Sequence, residues 1–251
     1  MDKNKDGILS EAVINNDGRV SMVTVSSGSD YDDDYADEFD CHINEHNRNI
    51  IDSDGELIDW RLRGKNLCIR ISADEKIIPY RAHCDDKDAG VVLIADGVTE
   101  IGGEAFRECR NLRRIDIPDS VVKIGKYAFY ECWLLREITV PKGVKKIEEG
   151  AFSRCRTLET VTFNGGVEDI EMSAFDCCVS LEKIILPNGV KKIYSYAFHE
   201  CCSLQSLTLP NSIERIFPNA FSGCESLKNI SYKGQVYDDI DYVLYLANRQ
   251  R

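Results

Sequence analysis

The sequence lacks an excess of positive charge: 43 acidic against 31 basic side chains give a formal net charge of -12. A phosphate backbone or an anionic membrane needs a cationic face, so general nucleic-acid or headgroup binding is disfavoured. The opening stretch MDKNKDGILSEAVINNDG has no apolar h-region of a signal peptide, and no later run is apolar for the length of a membrane span. A complete chain of this kind would stay in the cytoplasm. Histidine is scarce, with His42, His46, His83 and His199, and there is no Gly-x-Ser-x-Gly elbow, Walker loop or His-Glu-x-x-His stretch. Catalysis has no constellation to rest on, and a non-enzymatic chain without cofactor is expected. Adjacent carboxylates such as Glu148 and Glu149 read as solvent-facing charge. An even cysteine count is also lacking: with 11, a disulfide framework pairing every cysteine is excluded within a monomer. What is present, 43% apolar residues over 251, suffices for a sizeable core.

The chain repeats itself at a fixed period, which takes precedence over any secondary-structure reading. Ala-Phe recurs at Phe106, Phe129, Phe152, Phe175, Phe198 and Phe221, each step being 23 residues. Three positions after each Phe stands Cys109, Cys132, Cys155, Cys178, Cys201 or Cys224, and three further on a leucine, from Leu112 to Leu227. Aliphatic pairs such as Ile115 and Ile117 follow, closed by Pro118, Pro141, Pro187 and Pro210, with Asn164 and Lys233 as departures. Alternation at Ile115, Asp116 and Ile117 marks a short strand, which proline ends because it has no N–H for a ladder. Around Ile-Gly-x-x-Ala-Phe-x-x-Cys the apolar residues lie three or four apart, and the expectation is a short helical turn. One strand and one turn cannot bury their own apolar face. Stacked coils can, so an α/β solenoid is expected, right-handed, with short parallel strands on one face and helical turns on the other. At strand spacing, six coils make an array of about 30 Å.

The pattern Leu-x-x-Ile-x-Ile-Pro-x-x-Val-x-x-Ile-Gly-x-x-Ala-Phe-x-x-Cys, clearest in LRRIDIPDSVVKIGKYAFYEC and LQSLTLPNSIERIFPNAFSGC, resembles the BspA-like class of bacterial leucine-rich repeats. The segment LIDWRLRGKNLCIRIS resembles the Trp-containing hairpin that often precedes such arrays. The resemblance implies a binding or adhesion role on a secreted or surface-displayed protein.

Four segments are expected: an acidic, partly disordered leader (1–52), a capping hairpin region (53–90), the repeat array with a leading partial copy (91–234) and a capping helix (235–251). Residues 1–90 carry a net charge of -10 and the remainder only -2, the densest acidity being DYDDDYADEFD at Asp30 to Asp40. Ile58, Trp60 and Leu62, then Leu67, Ile69 and Ile71, alternate with polar residues about Arg-Gly-Lys-Asn and predict a β-hairpin. Asp238 or Asp239 is expected to cap a helix presenting Ile240, Val243, Leu244 and Ala247 on one face.

Stacked cysteines would hold their Cβ atoms about 5 Å apart, too far for a bridge, so the repeat cysteines read as a ladder of buried thiols. Cys41, Cys68, Cys84, Cys177 and Cys202 are left over, and Cys177 and Cys202 are expected to face outward. Asp2, Asn4 and Asp6 before Gly7 have the spacing of a calcium loop, but Val13 stands where the bidentate carboxylate belongs, so the segment reads as a plain turn with calcium the weaker alternative. Zinc could draw on Cys41, His42, His46, Cys68, His83 and Cys84, whose spacing matches no standard set. Neither metal is expected.

A protein partner, with the chain itself monomeric, is the expected mode of action. The outward columns of the strand face are Arg114 and Asp116, Glu137 and Thr139, Thr160 and Thr162, Lys183 and Ile185, Ser206 and Thr208, a nearly neutral field in which Ile185 is the apolar feature. The absence of aromatic residues there argues against a glycan. Tyr127, Tyr130, Trp133, Tyr194 and Tyr196 form a more aromatic turn side, read chiefly as shielding of the core. An intracellular scaffold or regulatory subunit is the alternative, resting on the missing signal peptide and reduced thiols.

Overall fold

Alternating aliphatic residues that recur at a fixed step build strands that stack one coil above the next. The computed structural model describes residues 9–14, 20–25 and 67–249. The chain divides into two units, Met1–Arg61 and Leu62–Arg251. In the first, Leu9–Ile14 and Val20–Val25 pair as an antiparallel hairpin within the segment read as a leader. The acidic run, the calcium-like turn, Cys41, His42, His46 and the hairpin arm at Ile58 to Leu62 lie outside the described residues.

The second unit is a β-solenoid of about seven turns ending in one helix. The first ladder is a row of strands paired in parallel in three groups: Leu67–Ile71, Ala89–Ile94 and Arg114–Asp116; Glu137–Val140 and Thr160–Phe163; and Lys183–Ile185, Ser206–Thr208 and Asn229–Tyr232. Leu67–Ile71, expected as a hairpin arm, pairs in parallel with Ala89–Ile94 and so begins a coil of its own. A second ladder, which the sequence pattern had not suggested, is made of two-residue strands from Ile77–Ile78 through Glu100–Ile101 to Arg215–Ile216. Gly125 marks the close approach on this side, since a Cβ there would lie 2.5 Å from the Gly103 nitrogen.

The segment expected as a helical turn is instead a run of turns, and its hydrogen bonds say why. Ala105 N–H donates to Gly102 O, Arg107 N–H to Glu104 O and Cys109 N–H to Phe106 O within the coil, but the alternate amides leave it: Glu104 donates to Lys126 O at 2.8 Å, Phe106 to Ala128 O at 2.8 Å and Glu108 to Tyr130 O at 2.7 Å. A helix would keep all of these bonds inside one segment. Left-handed residues turn alternate amides outward, Glu104 at φ 53° and Glu108 at φ 60° in the first copy, Tyr127 and Glu131 in the next. In the third copy the left-handed position is Gly150, at φ 61°, and a Cβ there would overlap the Tyr127 ring lying over it.

These turns carry the core. The six phenylalanines stack face to face at 5.2–5.4 Å between centroids, and all are buried. His83 heads the stack, 5.3 Å from Phe106 and nearly parallel to it. Each cysteine thiol donates to the carbonyl of the coil before it: Cys132 to Phe106 O at 3.2 Å, Cys155 to Phe129 O at 3.1 Å, Cys178 to Phe152 O at 3.2 Å, and so on to Cys224. The thiol therefore fills a small apolar slot and also satisfies a second lone pair on a buried carbonyl. Burial pushes Cys109 and Cys155 up to about 12 and holds Cys132 and Cys178 well above the ordinary thiol value.

The C-terminal edges are closed by two devices. Gln235–Tyr237 pairs antiparallel with Asn229–Tyr232 and covers the first ladder. The helix Ile240–Asn248 is capped by Asp239, whose side chain accepts from Asp241 N and Tyr242 N, and it buries Val243 and Ala247 as expected from their spacing. Its last residue closes the second ladder: Asn248 Oδ1 accepts from Ile216 N and Nδ2 donates to Ile216 O, both at 2.9 Å. The side-chain amide stands in for the backbone of a further coil.

Three outcomes are expected from this core. In urea unfolding, Phe152→Ala should lose about 3–5 kcal/mol, and Gly150→Ala about 1–2 kcal/mol for the left-handed backbone alone, with more from the ring overlap. In thiol alkylation read by mass spectrometry, Cys202, which is exposed, should react in the folded chain while the six repeat cysteines react only on unfolding. The pH dependence has a definite sign: a thiol ionising near 9.0 when unfolded and at about 12 when folded, as at Cys155, gives its full stabilisation below pH 9.0 and loses it as pH rises toward 12.

Candidate functional site

Inward columns of the solenoid are fixed by the core, so any site must be made of the outward ones. On the first ladder every expected contact residue lies on a strand, facing away from the core. Glu137, Thr139, Thr160, Thr162, Lys183 and Ile185 are exposed, and Arg114, Asp116, Ser206 and Thr208 are half-buried. Register sets them side by side, Glu137 beside Thr160, Thr139 beside Thr162, Lys183 beside Ser206 and Ile185 beside Thr208. Arg114 grips Asp116 with two bonds, Nε to Oδ1 at 3.1 Å and a terminal nitrogen to Oδ2 at 3.3 Å, so the two charges on that coil offset each other.

Backbone pairing lapses between Thr160–Phe163 and Lys183–Ile185. A shallow groove opens along that seam, lined by Thr160, Thr162, Phe163, Lys183 and Ile185 among others. Ile185 is 53% exposed there, and Phe163 is half-buried against the core. The groove thus offers an apolar centre with a margin of threonines and three charged side chains, Glu159, Glu182 and Lys183.

The turn side is built differently. Residues 23 apart stack, so Trp133 lies between Arg110 and Arg156, with guanidinium carbons 4.2 and 5.5 Å from its ring; Tyr130 lies in the same way by Arg107 at 5.2 Å, and Arg154, 24 residues on, reaches its ring at 5.8 Å. Glu131 ties Arg110 at 3.1 Å and Arg154 at 3.3 Å, and Glu149 accepts from Tyr127 Oη at 2.7 Å. That hydrogen bond, with burial, pushes the Tyr127 phenol up to about 12. The half-buried aromatics are held by their own neighbours. Two buried nitrogens in this ridge, Arg110 Nε and Trp133 Nε1, make no hydrogen bond to the described residues. The four arginines were not singled out from sequence, although adding 23 to Arg110 reaches Trp133 and again Arg156.

Of the residues weighed for zinc, Cys68, His83 and Cys84 are described, and they form no metal-ligand group among the described residues. His83 is the end of the ring stack with Nδ1 3.9 Å from Asp86, and Cys84 Sγ accepts from Arg81 at 3.4 Å. Among the described residues the one grouping with metal-ligand proximity lies elsewhere, at Asp176, Cys177 and His199. Again, no helix among the described residues is long and apolar enough to cross a membrane.

Residues 76–201 and 151–245 match the model of the BspA type leucine rich repeat region, in six copies. A leucine-rich repeat protein of Bacteroides ovatus is similar over 66% of this chain and 53% of its own, with 29% identity and a TM-score of 0.50. The chain thus spans about half the length of that structure. The T. pallidum leucine-rich repeat protein is similar over 80% of this chain and 93% of its own, with 25% identity and a TM-score of 0.63. No curated protein matches the chain. Six copies of one 23-residue coil, matched by the family model through most of the sequence, establish that the chain belongs to the BspA-type leucine-rich repeat family.

Proposed function

We propose that the chain is a non-enzymatic, protein-binding module of adhesion type whose contact surface is the outer face of the first ladder. The observation that carries this reading is the groove at Phe163 and Ile185, where an apolar centre is exposed within an otherwise polar strand face. Interface centres are apolar and ringed by polar groups, and truncating a central anchor commonly costs more than any rim contact. Family membership supports it at a coarser level, since leucine-rich repeat proteins are in general interaction or surface modules. The near neutrality of the face favours a partner recognised by shape and hydrogen bonding through Thr139, Thr160 and Thr162. An intracellular scaffold would use the same face and differ only in the partner recovered.

The test is capture of extracellular-matrix or cell-surface proteins on immobilised chain, comparing three forms. Wild type and Met172→Gln, altered at an exposed turn-side residue, should retain the same protein. Ile185→Asp should bind it at least about tenfold more weakly, which corresponds to about 1.4 kcal/mol. Equal retention by Ile185→Asp would place the contact surface elsewhere.

A further inference from the structure

In the lower half of the turn side the outward columns change from arginine and aromatic rings to metal-ligating groups. Asp176 and His199 occupy the same position in successive coils, and Cys177 and Glu200 occupy the next one. The solenoid step therefore brings together two adjacent pairs that are 23 residues apart in sequence. His199 Nδ1 lies 2.8 Å from Asp176 Oδ1, and Cys177 Sγ lies 3.5 Å from the same oxygen. One ligand atom from each of the three is within 4.8 Å of the other two. Glu200 Oε1 stands 3.6 Å from His199 Nε2, on the far side of the ring.

We infer that Asp176, Cys177 and His199 form a site for one borderline-soft divalent cation of the zinc type. Zinc bonds of about 2.0–2.3 Å in a tetrahedron require ligand atoms about 3.3–3.8 Å apart. The three donors bracket that spacing, at 2.8 and 3.5 Å from the shared Asp176 oxygen and all within 4.8 Å of one another. The frame beneath them is rigid: Cys177 N–H donates to His199 O at 2.8 Å, Arg154 N–H to Asp176 O at 2.7 Å, and the Tyr196 ring packs edge-on against His199 at 5.4 Å. Mixed oxygen, nitrogen and sulfur donors select zinc, cobalt or nickel over calcium and magnesium, which take oxygen alone. With Nδ1 on the metal, Nε2 carries the ring proton and faces Glu200, the outer carboxylate that orients such histidines. Binding displaces the Cys177 thiol proton to solvent. The nearby cation, Arg154, is engaged by Glu131 at 3.3 Å. Three protein ligands leave a fourth position for water or for a group from outside the chain. The cluster is half-buried, so a hydrated ion can reach it.

Cobalt(II), added to the full chain after reduction and removal of metals by chelator, tests this directly. A thiolate-to-cobalt charge-transfer band in the near ultraviolet should appear with tetrahedral visible bands and saturate at about one equivalent, zinc then bleaching both. Cys177→Ser and His199→Ala should each abolish the charge-transfer band, and Asp176→Asn should weaken cobalt binding at least about tenfold. Cys202→Ser, altered at the neighbouring exposed thiol, should leave the spectrum as it is. Circular dichroism of each variant checks that the coil persists. The inference is overturned if wild type gives no thiolate band, or if the band survives Cys177→Ser or His199→Ala, since the metal would then be held by other residues.

Discussion

Coil is joined to coil through the Ala-Phe turn, and the rest of the solenoid depends on that joint. Pairing in the first ladder lapses between Arg114–Asp116 and Glu137–Val140, and in the second between Lys123–Ile124 and Lys146–Ile147. Across this same interval the turn side is continuous. Phe129 stacks on Phe152 at 5.4 Å, and Tyr127, Phe129 and Glu131 donate to Glu149, Ala151 and Ser153 at 2.9, 2.8 and 3.0 Å. A ring column with amide bonds on either side of it tolerates no change in step, because one inserted residue would move Phe, Cys and the left-handed positions off their partners together. That is a physical reason for six copies of equal length.

Most of the core was legible in the sequence because identical residues recur at identical spacing. Ile115, Leu112, Cys109 and Phe106 are buried where their columns place them, and the helix starting after Asp239 follows from its capping residue and apolar spacing. Other features left no such trace. Spacings of three and four between Ile101, Ala105, Phe106 and Cys109 suit a helix and a chain of turns equally well. The residues that decide between them, Glu104, Tyr127, Ser173, Tyr196 and Asn219, are not glycines, so their positive φ is invisible to a reading by residue type. Two-residue strands are too short for alternation to reveal. His83 in place of Phe concealed the coil that begins at Leu67. Asn248 plugs an edge through its side chain, and edge positions have no period to betray them.

The outward columns follow another logic. Where inward columns repeat one residue, outward ones change at each coil, as in Arg110, Trp133, Arg156, Val179, Cys202 and Glu225. The scaffold therefore presents a different surface every 23 residues without altering its core. The groove at Ile185 and the cluster at Asp176, Cys177 and His199 are both products of this arrangement. The strand-face residues could be picked out from sequence because alternation tells inside from outside. The cluster was passed over, although adding 23 to Asp176 reaches His199, because a reading along the chain does not lay neighbouring coils side by side.

Hydrogen exchange, resolved to single amides, tests the central claim most directly. Across the interval where both ladders lapse, the amides of Phe129 and Glu131 should exchange at the slow rate of global unfolding, while amides of Glu137–Val140 that face the lapse exchange faster through local opening. Equal or greater protection of those strand amides, with faster exchange at Phe129, would show that the ladders hold the coils together and the turns merely follow.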